Sequence, residues 1–214
     1  MNLLIDNLPT EVNGEPVNTD FRVMVQLETM IYDPEISASE KVVLGLRLLY
    51  QSESPRLTLE EAWEGLLWYY RGGEDKDQSQ AQKQPQSERQ APRKVRRVYD
   101  FTQDAERIYA AFRQVYGVDL QETPLHWWAF RAMLFSLPDS CLQGKIMGYR
   151  ATDTSKLKGP EKKRIQHLQK LYAITTPGVE DVTSTAERDR KMRDRVLRRF
   201  KEAEAWRNRL KESR

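Results

Sequence analysis

The stretch TPLHWWAFRAMLFSLP, residues 123–138, decides how the rest of the chain must be built. Between Leu125 and Leu137 only His126, Arg131 and Ser136 interrupt an apolar run. A helix that is apolar all round sits inside a core rather than on one. The pattern predicts a helix from Pro124 to Leu137, with Thr123 as N-cap, Pro124 at its first position and Pro138 as its stop. Just upstream, YDFTQDAERIYAAFRQVYGVDL (99–120) places Phe101, Ala105, Ile108, Phe112 and Val115 at alternating steps of four and three. That spacing is one face of an amphipathic helix, packed against the first. Asp100 with Gln103 offers a capping box at its start, and Gly117 a left-handed stop at its end.

Working downstream, Asp139 to Arg150 reads as a shorter helix, with Gly144 and Gly148 on one face for close intramolecular packing. A polar loop follows, then a helix from Pro160 to Tyr172. Ile165, Leu168 and Leu171 or Tyr172 face inward there, while Lys162, Lys163, Arg164 and Lys170 face water. Beyond Pro177-Gly178, the residues Met192, Val196, Phe200, Ala203, Trp206 and Leu210 form a narrow stripe in a long, strongly charged helix. Such a helix buries too little to stand alone and needs a partner.

Working upstream, Arg93-Lys94-Val95-Arg96-Arg97 is a basic run, read as a solvated linker edge rather than a phosphate-binding patch. Glu74 to Pro92 is Gln, Ser, Lys and Glu with almost nothing apolar, so it cannot offset its chain entropy and reads as a disordered linker. Thr58 and Glu61 form a capping box for a helix whose stripe is Trp63, Leu66, Leu67 and Tyr70, widened by Trp68 and Tyr69 and ended by Arg71-Gly72-Gly73. Ser37 and Glu40 open another, with Val42, Val43, Leu46, Leu49 and Tyr50 inward. Thr19 or Asp20 caps a helix from Phe21 to about Tyr32, with Phe21, Met24, Val25, Glu28 and Ile31 on its core side and Pro34 beyond its end. Asn13-Gly14 is the strongest short hairpin signal and predicts strands around Leu3 to Leu8 and near Val17, as a cap over the helices. The fold class is therefore mainly α: a helical bundle with a small N-terminal β-hairpin, a disordered linker and a long basic C-terminal helix. The divisions fall at 1–73, 74–97, 98–174 and 175–214.

The 214 residues include one cysteine, Cys141, which excludes an intrachain disulfide and suits a reducing compartment. Neither a signal peptide nor a membrane-length apolar run is present, so a soluble, intracellular protein is expected. The formal net charge of +3 hides an uneven layout: −9 over Met1–Asp75, +6 over Lys76–Ala186 and +6 over Glu187–Arg214.

No catalytic constellation stands out. The two histidines, His126 and His167, lack metal-ligand spacing to another His or Cys, and no glycine-rich phosphate loop is present. His126 reads as a core-edge residue with one satisfied hydrogen bond, and Cys141 as a small packing residue near a helix start. Arg131 is the most informative polar residue, because a guanidinium in an apolar helix needs a partner. Four residues after Trp127, it can stack on that ring while Glu106 or Asp119 supplies a carboxylate. Trp127 and Arg131 are thus a candidate structural lock between the two central helices; the alternative is that Arg131 snorkels to the surface.

The blocks YDFTQDAERIYAAFRQVYGVDL, LHWWAFRAML, KIMGYRATDTSKLKG and EKKRIQHLQKLYAI, in this order, resemble the tailed-bacteriophage Gp-fifteen family. The resemblance covers most of the chain and is firmest from Val98 to Ile174. Genes of that family lie between the major tail protein and the tape measure, where tail assembly chaperones are encoded. The resemblance therefore implies a non-catalytic chaperone of the host cytoplasm, bound to the tape measure protein during tail building and absent from the mature virion. It implies no cofactor and no catalytic residue. Further expected partners are the major tail protein and a second copy of the chain. Candidate partner-binding stripes are Trp63, Leu67 and Tyr70, and Val196, Phe200 and Trp206, docking as apolar anchors in a groove; core packing is the alternative for each. The competing function is a nucleic-acid-binding accessory protein, using the basic linker and C-terminal helix.

Overall fold

A computed structural model describes residues 2–51, 56–74 and 97–175. Most of the expected linker and all of the expected C-terminal helix, including Val196, Phe200 and Trp206, lie outside the described residues. A two-stranded antiparallel hairpin, β1 (Glu11–Val12) and β2 (Glu15–Pro16), precedes α1 (Phe21–Tyr32), α2 (Ala38–Leu49) and α3 (Leu59–Tyr70). Then come α4 (Ala105–Tyr116), α5 (Trp127–Phe135), α6 (Leu142–Ala151), a 3-10 turn at Thr154–Lys156 and α7 (Gly159–Leu171). The described chain is mainly helical.

Local chemistry explains most of the boundaries. Asn13 and Gly14 both have positive φ, 53° and 77°, as a two-residue hairpin turn of the primed type requires. Asp20 caps α1 through the N–H of Arg22, while the Ser37–Glu40 and Thr58–Glu61 boxes are complete at α2 and α3. Gly117, at φ 67°, ends α4 as expected. Gly73 ends α3 at φ 79°, and a Cβ there would stand 2.6 Å from the Trp128 ring, so glycine also lets the indole lie against the backbone. Gly144 is tighter still, since a Cβ would meet the Pro138 carbonyl oxygen; the close intramolecular contact expected of it is real.

Several expectations need correcting. Leu3 to Leu8 is not a strand, because residues 3–6 turn back through the Ile5 and Asp6 N–H groups donating to the Asn2 carbonyl. The central helix starts at Trp127, not Pro124. Leu125 and His126 are held extended against α1's entry, with Phe21 N–H donating to Leu125 O and Trp127 N–H to Thr19 O, both at 2.9 Å. The N-cap is His126, whose Nδ1 accepts from the Trp128 N–H. Likewise α4 starts only at Ala105. Asp100 caps the turn before it, and its reciprocal partner is Asp104 rather than Gln103. Gln103 instead donates to Ala173 O and ties down the chain after α7. Val43 is 48% exposed and does not pack inward. Helix α7 buries no residue, and its Leu171 is 62% exposed.

The segments 2–74 and 97–175 share one hydrophobic core. Its centre is aromatic: Phe130 stacks on Phe21 at 4.4 Å and on Phe112 at 4.9 Å, joining α5 to α1 and α4. The C-terminal end of α3 meets α5 through its last carbonyls. Tyr69 O accepts from Trp128 Nε1–H at 2.8 Å, and Tyr70 O accepts from Trp127 Nε1–H at 2.9 Å. Each indole thereby buries a large apolar area with its one donor satisfied, and each helix-end carbonyl gains a partner. Burial of a large side chain of this kind stabilises by roughly 1.5–3 kcal/mol.

Candidate interaction surface

The chemistry-bearing side chains gather in a buried charged joint. Arg150, 4% exposed on α6, grips both carboxylate oxygens of the fully buried Asp104 and also donates to Val98 O and Tyr172 O. Arg107 adds a third guanidinium contact to Asp104 at 2.6 Å, and the Asp100 N–H a fourth donor. The Asp104–Arg150 pair thus connects α4, α6, the turn before α4 and, through Arg150, the end of α7. Burial pushes the Asp104 carboxyl up, but the hydrogen bonds from Arg150 and Arg107, the Arg150 charge and the Asp100 N–H together hold it below its ordinary value.

Beside it, Arg97 pairs with Asp100 at 3.1 Å and Glu28 at 3.6 Å, and stacks over the Tyr32 ring. The Tyr70 and Tyr99 hydroxyls donate to Glu28 at 2.6 and 3.2 Å. Burial pushes the Tyr99 hydroxyl well above its ordinary value, and the nearby Glu28 charge adds to this. Carboxylates given several donors in this way hold segments together.

His126 is better satisfied than its sequence suggested. Its Nε2 lies 3.0 Å from Pro9 O and 3.2 Å from the Tyr69 hydroxyl, while Nδ1 accepts from Trp128. Those partners describe a neutral ring with its proton on Nε2. Burial lowers its pKa, and the Pro9 hydrogen bond offsets part of that. Cys141 caps α6, its Sγ accepting from Gly144 N–H and donating to Pro138 O. Among the described residues no cluster of His, Cys, Asp or Glu is placed to hold a metal, and no helix is long and apolar enough to cross a membrane.

The proposed stripe on α3 lies inside. Trp63 and Leu67 are buried, and Tyr70 is half-buried against Trp127. The Trp127–Arg131 pair divides: Trp127 is core, while Arg131 is a rim residue, paired with Glu74 at 3.7 Å and set over Phe135 rather than Trp127. Asp119, one carboxylate considered for it, pairs with Arg113 instead. The buried arginine–carboxylate bridge between helices is instead Arg150–Asp104, which joins α6 to α4 rather than α5 to α4.

Helix α5 is accordingly not buried all round. Ala132, Phe135 and Ser136 face out, and Phe135 is 50% exposed. With Leu3, Gly72, Trp128 and Arg131 they line an open groove of about 350 Å³. Beside it the turn at residues 3–6 projects Leu4 and Ile5, 94% and 80% exposed. Sequence reasoning passed over this face because Leu3-Leu4-Ile5 looked like a buried strand. The available signal was that three consecutive apolar residues leave no polar one to face water.

No curated protein and no solved structure matches the chain. The family model described as Bacteriophage Gp15 protein matches residues 4–174, well over half of the chain, including the charged joint and every groove residue except Leu3. The chain belongs to this bacteriophage family, whose members are structural or assembly-related proteins.

Proposed function

We propose that the protein is a non-catalytic tail assembly chaperone that binds the phage tape measure protein in the host cytoplasm and leaves before the virion is complete. The observation that supports this most is the open apolar face formed by Leu3, Leu4, Ile5 and Phe135 around the groove. Contiguous exposed apolar surface is unfavourable in water and marks a contact site. A helical client with apolar anchors fits such a groove. Co-expression with the neighbouring tape measure gene tests the reading. The tape measure protein is expected to stay soluble and to be captured with this chain in moderate salt, and Phe135→Asp is expected to weaken capture. A tape measure that is equally insoluble with and without the chain rejects the proposal.

One observation favours the nucleic-acid reading. Lys158, Lys162, Lys163, Arg164 and Lys170 on and before α7, together with Lys156, form no ion pair among the described residues. DNA binding through them would weaken by decades between low and moderate salt. Binding that is absent at low salt removes this second reading.

A further inference from the structure

We propose that the groove face also pairs two copies of this chain. Leu4 and Ile5 of each copy enter the groove of the other, and Asp6 of each faces the other's Arg131. This rests on the same open face as the chaperone reading, but it concerns a different occupant. The groove has apolar walls, Leu3, Trp128, Ala132 and Phe135, and a single guanidinium, Arg131. The chain carries the complementary sequence, two aliphatic side chains followed by a carboxylate, at Leu4-Ile5-Asp6.

Projection and recess are neighbours, since Leu3 lines the groove while Leu4 and Ile5 stand out from the same turn. A face that presents both a knob and its hole is self-complementary under a two-fold rotation, and a two-fold contact closes at two copies. The charges permit the exchange. Among the described residues the one ion pair of Arg131 is a long contact to Glu74, itself 57% exposed, and surface pairs of that kind are weak. Asp6 is exposed, and its carboxylate accepts from the Asn2 N–H. The face is small, so the dimer is a weak one with a dissociation constant in roughly the micromolar range.

Sedimentation of the full chain from about 1 to about 200 μM tests this. The expected mass rises from one copy towards two. Leu4→Asp and Arg131→Asp each raise the dissociation constant by about tenfold or more, while Asp6→Arg combined with Arg131→Asp returns it to within about threefold of the parent. Thermal melts check that the variants stay folded, and Ile5→Asp replaces any that does not. A single-copy mass at every concentration overturns the proposal. So does association indifferent to Leu4→Asp, growth beyond two copies, or a charge swap that restores nothing. Tape measure capture, run on the same preparations, separates the two readings: a chain that captures but never pairs sinks only the dimer, and one that pairs but never captures sinks only the chaperone.

Discussion

The aromatic joint, where α1 and α3 meet α5, and the charged joint, where α4 meets α6, both bring distant segments together with opposite chemistry. The first is a stack of rings, Phe21, Phe112, Trp127 and Phe130, with two indole donors resolved on carbonyls at the end of α3. Its energy follows from apolar area removed from water. The second joins a buried arginine, Arg150, and a partly exposed one, Arg107, to a fully buried carboxylate, and is tolerable only because Asp104 receives four donors. The aromatic joint therefore supplies stability, and the charged joint supplies a defined alignment that fails abruptly when one member is lost.

The sharpest way to break the aromatic side is Trp127→Ala. It leaves a cavity and strands the Tyr70 carbonyl, with an expected loss of about 3–5 kcal/mol in urea or thermal unfolding. A loss under about 1 kcal/mol would mean the rings contribute little beyond filling space. Next comes Asp104→Ala, which leaves Arg150 buried without its partner and is expected to cost roughly 3–5 kcal/mol. Asp104→Leu with Arg150→Met should recover most of that, because both charges then leave together. A double variant as unstable as the single one would show that the ion pair is itself favourable.

Acid sharpens the same contrast, since both shifted groups lose stability in one direction. The Asp104 carboxyl is held below its ordinary 3.8 when folded, so its contribution is present above that value and lost as pH falls through the folded one. The His126 ring is held below 6.5, so the unfolded chain takes up its proton first and stability declines as pH falls from about there. Melting temperature should thus fall in two windows, and His126→Asn, which keeps an N-cap, should erase the upper one. The smallest effect belongs to Arg131→Met. As a rim residue it should change stability by less than about 0.5 kcal/mol, and a larger loss would restore it as a lock.

What was legible in the sequence was what neighbours along the chain decide. Ser37 with Glu40, Thr58 with Glu61, and Asn13 with Gly14 act within four residues, and each stands where its pattern put it. Boundaries set by tertiary contact were not legible. His126 caps α5 because the α1 entry holds Leu125 extended, and nothing adjacent in sequence announces that. The Asp104–Arg150 pair spans 46 residues, so neither partner points to the other. Arg131 misled for a related reason: an apolar sequence context is not a buried one, and α5 turns that side of itself to the rim.

The single core shared across residues 74 and 97 has a practical corollary. Side chains on both segments pack against one another in that core. Nicking the backbone there should therefore give two fragments that remain associated. The position suits split reporters, in which reassembly of separately produced pieces becomes the readout.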